Sequence, residues 1–468
     1  MIKSLEAVLQ GAKSATSILY NQPTGANVYP GVPPEYTNWR DEQIAWQKSA
    51  VLFNQSYHMD DLLVEGPDAI KLLSYLAYNS FKGFEVGKAK QFAPVSHDGY
   101  IIGDVIMFYL GENRLELVGR RPALNWVRFH AETGKYNVRL DLDERTALRK
   151  DPSRRRSFRF QIQGPNAMKV IEKATGKPVP EVKFFNMTRM TIAGKEMWAL
   201  RHGMAGQPGL ELFGNWDDGE TVRQALIEAG KEVGLHLVGG RAYSSNAVES
   251  GWIPSPLPAV YTGETMKPYR EWLTSDMYEA RASIGGSFYS ENIEDYYLSP
   301  WDIGYGGFVK FDKEFVGREA LEKMSKKNHR KKVTIALDDD DVRRVVGTMF
   351  QENNRFKYMD FPSSVYSMHP YDKVLVNGKQ AGISTWISYT ANEGKMLTLA
   401  ILDPEHAVPG TKVSLVWGEA NGGSAKPVVE RHVQTEIKGV VAPVPYVREV
   451  REHYADAQGG WRAKASAA

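Results

Sequence analysis

Residues 200–213 read LRHGMAGQPGLELF. Three glycines, Gly203, Gly206 and Gly209, stand at regular spacing and lead into Leu210-Glu211-Leu212, whose alternation predicts a strand. A loop this rich in glycine lets backbone approach a ligand closely. Glu211 then sits on the strand between apolar neighbours. A carboxylate so placed can accept two hydrogen bonds from an N–C–NH₂ edge such as that of a pterin. A plain hairpin turn with a surface glutamate fits the same spacing.

Working outward, residues 240–252 (GRAYSSNAVESGW) predict a short helix and its exit loop, carrying Arg241, Tyr243, Glu249 and Trp252. Residues 299–321 (SPWDIGYGGFVKFDKEFVGREAL) predict a strand over 308–311 and a helix over 318–321.

The chain opens with a predicted helix over 3–20. A Gly/Pro-rich stretch at 23–34 (PTGANVYPGVPP) follows and puts Tyr29 on a loop. Residues 38–49 read as a helix with Asn38 as N-cap. Strands are expected at 51–53 and 61–64, and a helix over 68–76 after Gly66-Pro67. A hairpin of 101–110 and 114–118 precedes a helix over 122–133. The charged run 141–156, ending in three arginines, reads as a solvated connection. A strand over 158–163, then Gly164-Pro165 and a helix over 167–175, repeats the strand-Gly-Pro-helix pattern of 62–76. The two segments therefore look like copies of one α+β unit. After the basic run 326–332, a strand over 333–337 and further short strands near 373–376, 382–388, 396–401 and 412–417 predict a small barrel. The expected organisation is α+β, with an N-terminal unit over 1–156 and a second unit over 157–332 interleaved with it. A β-barrel domain over 333–458 and a loose tail over 459–468 complete it.

The 468 residues suit about three domains. Lys plus Arg is 58 and Asp plus Glu is 56, a net charge of +2, which gives no reason to expect a nucleic-acid or membrane-surface partner. Cysteine is absent, which removes disulfides, thiolate nucleophiles and thiolate zinc sites. Residues 1–10 are amphipathic, unlike a signal peptide, and no apolar run spans a bilayer, so a cytoplasmic location is expected. The ten His form no HxH or HExxH arrangement, so no metal is expected. No nucleotide-binding glycine loop and no GxSxG elbow appears. Oligomeric state is not legible.

Together, the three segments resemble the aminomethyltransferase family of the glycine-cleavage T-protein. That family carries Arg-x-Gly-x-x-Gly-x-x-Gly-[Phe/Leu]-Glu-[Ile/Leu], then Arg…Glu-x-Gly, then Phe-x-Gly-Arg-Glu-Ala-Leu. Here these stand at 201–212, 241–251 and 315–321, and the resemblance runs over nearly the whole chain. It implies a three-domain cloverleaf around a central tetrahydrofolate, with Glu211 matching the pterin-binding glutamate. One departure matters. The family places two acids in the strand corresponding to 101–107, whereas here Gly103 takes the first position and only Asp104 remains.

The stretches 28–46, 52–62, 249–263 and 284–297 resemble one branch of that family more closely. This branch holds the tetrahydrofolate-dependent aromatic O-demethylases of lignin catabolism, which act on vanillate, 3-O-methylgallate and syringate. The resemblance implies methyl transfer from a methoxybenzoate, with syringate favoured, to tetrahydrofolate. It implies Tyr243 as the general acid, with an ordinary phenol pKa of about 10 close to that of the leaving phenol. His58 and Tyr29 are expected beside the substrate ring, and Gln55 between substrate and folate. Arg120 is expected to grip the carboxylate, with Arg121 the competing choice. Trp252 and Val118 are expected to wall the folate pocket. For Tyr243, His58, Tyr29 and Trp252 a structural role is the competing reading. An aminomethyltransferase or glycine-type demethylase, and a folate-binding protein without turnover, are the alternatives at the level of function.

Overall fold

The computed structural model describes residues 2–26, 29–148, 154–254 and 256–453. The expected tail over 459–468 lies outside them. Where one opening helix was expected there are two, Leu5–Gln10 (α1) and Ala15–Tyr20 (α2). Gly11 ends the first, and Ser14 starts the second through a reciprocal capping box with Ser17. The box satisfies backbone donors that a continuous helix would have used internally. Trp39–Lys48 (α3) begins where expected, with the Asn38 side chain accepting from the Asp41 N–H at 3.0 Å.

Ala50–Asn54 (β1) leads to the first unit. It comprises Asp60–Glu65 (β2), Ala69–Leu76 (α4), Ala89–Phe92 (β3), Val105–Gly111 (β4), Arg114–Gly119 (β5), Arg121–Thr133 (α5) and Arg139–Asp143 (β6). The second comprises Ser157–Gln163 (β7), Ala167–Thr175 (α6), Met187–Ile192 (β8), Lys195–Leu200 (β9), Gly209–Asn215 (β10), Gly219–Gly230 (α7) and Leu235–Val238 (β11). The first sheet runs β3-β4-β5-β2-β6 and the second β8-β9-β10-β7-β1-β11. These are one strand order written twice, with β1 slotted into the second sheet between its first and last strands. The two Gly-Pro turns are also alike. Gly66 and Gly164 take φ of 138° and 131°, and a Cβ on either would stand 2.4 or 2.6 Å from a backbone carbonyl oxygen, that of Asn137 or Ser49. Only glycine fits there.

Three further expectations are corrected. The strand expected over 101–110 starts only at Val105, because the backbone at 101–102 bonds outside the sheet, to Leu298 and Pro94. The strand expected over 308–311 is a 3₁₀ turn, Gly306–Phe308, followed by an isolated bridge from Val309 to Asn79. The run 141–156, expected as a solvated connection, is not solvated throughout its described residues, although Arg154 is exposed. It contains the end of β6, and Arg155 is 3% exposed and bonded to Asp143 at 3.0 Å.

Gly240–Ser250 (α8) joins the two units to a closed barrel of six strands. The barrel includes Thr435–Ala442, which sequence reading missed although its inward residues alternate. Glu249 on α8 is fully buried and accepts from Trp46, Thr390 and Asn392, so it ties helix, α3 and barrel together. Among the described residues no helix is long and apolar enough to cross a membrane.

Candidate active site

A cavity of about 660 Å³ is lined by both sheets, α8 and the barrel. That volume lies within the range of about 300–1,000 Å³ of small-molecule sites. Tyr29, Gln55, His58, Val118, Arg120, Glu211, Tyr243 and Trp252 all line it. Arg241 and Glu249 do not, although they share α8 with Tyr243. Arg241 donates to the Phe361 carbonyl in the barrel segment.

The loop carrying Tyr29 reaches the site because of Gly239. A Cβ there would stand 2.3 Å from the Pro34 carbonyl oxygen, so the bare glycine lets the Pro/Gly loop lie on the start of α8. Gly240 and Arg241 N–H groups then donate to the Pro33 and Pro34 carbonyls at 2.9 and 3.1 Å. Tyr29, His58 and Tyr243 close into a ring cluster. Their centroids lie 4.6 Å (Tyr29–Tyr243) and 5.0 Å (Tyr29–His58 and His58–Tyr243) apart.

Burial sets the electrostatics of this cluster. It pushes Tyr29 up to about 12 and Tyr243 well above an ordinary phenol, and it pulls His58 down to about 3, helped by the charge of Arg120. All three are therefore neutral at pH 7. This corrects the expectation that Tyr243 matches the leaving phenol in acidity. Tyr243 is protonated at rest, a donor in a buried site. Gln55 Nε2 donates to its oxygen at 3.1 Å and to Met204 Sδ at 3.0 Å.

Arg120 and Arg121 part company. Arg121 is buried and spent on Asp60 at 2.6 Å and Glu144 at 3.2 Å. Arg120 sits at the N-cap position of α5, lines the cavity and hydrogen-bonds the hydroxyl of Tyr278, which also lines it.

Further along, Glu211 on β10 is 3% exposed. Arg159 Nη1 stands 2.5 Å from one of its oxygens and His202 Nδ1 3.5 Å from the other. Burial alone would raise its pKa, but His202 and Arg159 hold it below the usual carboxylate range. Arg159 is itself clamped between the rings of Phe108 and Phe213, at 4.8 and 4.5 Å. Each carboxylate oxygen has two lone pairs, so an ionised Glu211 can still accept from an amidine edge. With the flat or apolar walls of Phe108, Val118 and Trp252 beside it, the residues fit a reduced pterin. The glycine loop contributes less than expected. Of its three glycines, only Gly203 lines the cavity. Gly206 makes room for Val450, and Gly209 for the Ile162 carbonyl.

Asp104 accepts from Trp252 Nε1 at 3.0 Å and Tyr305 Oη at 2.8 Å. Gly103 packs against α5, and a Cβ there would stand 2.9 Å from the Ala123 nitrogen. Sequence reasoning missed Arg145, Tyr278 and Trp386 in the lining, and Arg159 behind Glu211. The one signal for Arg159 was an arginine set between two phenylalanines in the strand SFRFQIQ.

The GCVT N-terminal domain family matches residues 8–255. A syringate O-demethylase of Sphingobium sp. (strain NBRC 103272 / SYK-6) is 61% identical over 99% of this chain and 100% of its own length. A sesamin methylene transferase of Sinomonas sp. (strain No.22) is 28% identical over 89% of this chain and 90% of its own. The crystal structure of the glycine cleavage system aminomethyltransferase T from Bartonella henselae superposes with a TM-score of 0.59 at 18% identity. That superposition covers 92% of this chain and 97% of that one, and shows a shared fold.

Proposed function

The chain belongs to the GCVT family of aminomethyltransferase-like proteins, and from that premise we propose that it is a tetrahydrofolate-dependent O-demethylase of methoxybenzoates, with syringate its preferred substrate. One observation carries the reading. A single cavity holds a neutral Tyr29–His58–Tyr243 cluster beside Arg120 and, further along, an ionised Glu211 beside apolar walls. The preference for syringate is supported by the relative that is 61% identical.

Tetrahydrofolate supplies the nucleophilic nitrogen 5 that accepts the methyl group. Glu211 holds and orients the pterin through its amidine edge, and Trp252 and Val118 flank it. Arg120 binds the benzoate carboxylate and fixes the ring so that the methoxy group lies between Tyr243 and the folate side. The carbon–oxygen bond breaks toward oxygen, and Tyr243 meets the developing phenolate with its hydroxyl hydrogen. A positioned acid is worth about 10²–10⁴ in rate. His58, neutral, hydrogen-bonds the phenol oxygen para to the carboxylate, and Tyr29 backs the ring. Nitrogen 5 loses its proton on methylation, and a proton returned to Tyr243 from solvent replaces the one the leaving oxygen takes, so the products are 5-methyltetrahydrofolate and a demethylated phenolic acid and atoms balance without an oxidant. We place the reaction in the cytoplasm.

Against an aminomethyl donor stands Gly103, whose contact with Ala123 leaves no room for the first acid of the family's pair. The test is to incubate the purified protein with tetrahydrofolate and, separately, syringate, vanillate and 3-O-methylgallate, following 5-methyltetrahydrofolate by chromatography. Product from syringate at the highest kcat/KM is expected. No product from any of the three would overturn the reading.

A further inference from the structure

Arg120 does not stand alone at its end of the cavity. Strands β5, β2 and β6 are neighbours, with Asp60 opposite Gly119 and Asp61 opposite Asp143. Arg120 directly follows β5, and Arg145 lies just past the end of β6, so the two arginines flank the start of β2. Adjacent strands lie about 4.8 Å apart, which puts β5 and β6 about 10 Å apart across β2. Two arginine side chains can close that span from either side. Both line the cavity, as do His58 and Asp60.

The local charges leave Arg145 available. Of the arginines here, Arg121 is paired with two acids, Asp60 and Glu144. Arg121 spans both acids, and Asp60 also accepts from the Arg145 backbone N–H at 2.9 Å. Among the described residues, the Arg145 guanidinium itself has no hydrogen-bond or ion-pair partner. Arg145 is thus a guanidinium on the cavity wall without a carboxylate of its own among the described residues. The charges of Arg120 and Arg145 both act on His58 and on Tyr278, and that of Arg155 acts on His58 as well.

We propose that Arg145 is a second anchor for the substrate carboxylate, gripping it from the side opposite Arg120. This rests on the methoxybenzoate reading above. A guanidinium on each side of a planar carboxylate fixes both its position and its plane, which one cation cannot do. A carboxylate also gives the Arg145 guanidinium the anionic partner it lacks among the described residues, which a neutral ring does not.

The test compares wild type with Arg145→Gln and Arg145→Lys in steady-state turnover of syringate with tetrahydrofolate. The expected result for Arg145→Gln is a KM for syringate raised about tenfold or more, with kcat within about twofold and the KM for tetrahydrofolate unchanged. Arg145→Lys keeps the charge and recovers part of the loss. An unchanged syringate KM, a parallel rise in both KM values, or a lysine variant no better than glutamine would overturn the proposal. Wild-type protein inactive on every methoxybenzoate would instead overturn the functional reading on which it rests.

Discussion

Gln55 Nε2 donates to the Tyr243 hydroxyl oxygen at 3.1 Å, while the only described acceptor for the hydroxyl's own hydrogen is the Met204 sulfur at 3.7 Å. A thioether is a weak acceptor. The amide therefore occupies the oxygen of Tyr243 and leaves its hydrogen available to a substrate. This polarity is what an acid for a leaving phenolate needs, since an N–H on the oxygen also steadies the phenolate that forms.

That arrangement predicts the outcome at position 55. Gln55→Glu places a carboxylate acceptor where the amide donor stands, and the Tyr243 hydrogen turns to it. We expect kcat to fall about 100-fold or more, with the KM for syringate changed far less. Gln55→Leu removes the donor without adding an acceptor and should cost less than Gln55→Glu. Rates of 5-methyltetrahydrofolate formation under saturating substrates measure both.

His58 governs a pH effect on stability rather than on chemistry. Its folded pKa is about 3 against an ordinary value of 6.5, mainly through burial. Between those values the unfolded chain binds a proton that the folded chain does not, so stability falls as pH drops below about 6.5. His130, pulled down to about 4 by burial, adds to the same trend. Melting temperature should decline from pH 7 to pH 5, and His58→Asn should flatten part of that decline. The activity profile should show no inflection from His58 across pH 5–8, because the imidazole is neutral throughout.

Arg155 predicts a stability loss. It is buried, donates to Asp143 at 3.0 Å and to the Ser56 carbonyl at 2.8 Å, and lies 3.7 Å from Asp61. Arg155→Met leaves buried carboxylates without their cation and should destabilise the protein by about 3–5 kcal/mol. The shift in urea unfolding midpoint measures it. An exposed arginine such as Arg154, whose pair with Asp217 is open to solvent, serves as the control and should shift it by no more than about 1 kcal/mol.

These residues also show what a sequence makes legible. Glu211 was readable because it sits on a strand led in by glycines, whereas Tyr243 stood out from Arg241, Glu249 and Trp252 on its predicted helix only through the resemblance to the O-demethylases. The doubled unit was readable from two Gly-Pro turns, because a bare backbone is required where another chain segment crosses. Arg155 was misread because its partners lie on β2 and β6, and no local composition distinguishes an arginine bonded to distant carboxylates from one facing water. Arg145 hid in the same charged run. Tyr278 and Trp386 reach the cavity from a one-turn helix, Tyr278–Arg281, and from the barrel, so only the tertiary arrangement brings them there. Even at Tyr243 the residue was legible but its acidity was not, since burial among Tyr29, His58 and Phe53 decides it.

The most direct measurement is a single turnover of Tyr243→Phe with saturating syringate and tetrahydrofolate, together with the dissociation constant for syringate. Loss of the hydroxyl alone should slow methyl transfer by about 10²–10⁴ while syringate binding changes little. A variant that transfers the methyl group at the wild-type rate would contradict the assignment of Tyr243 as the proton donor.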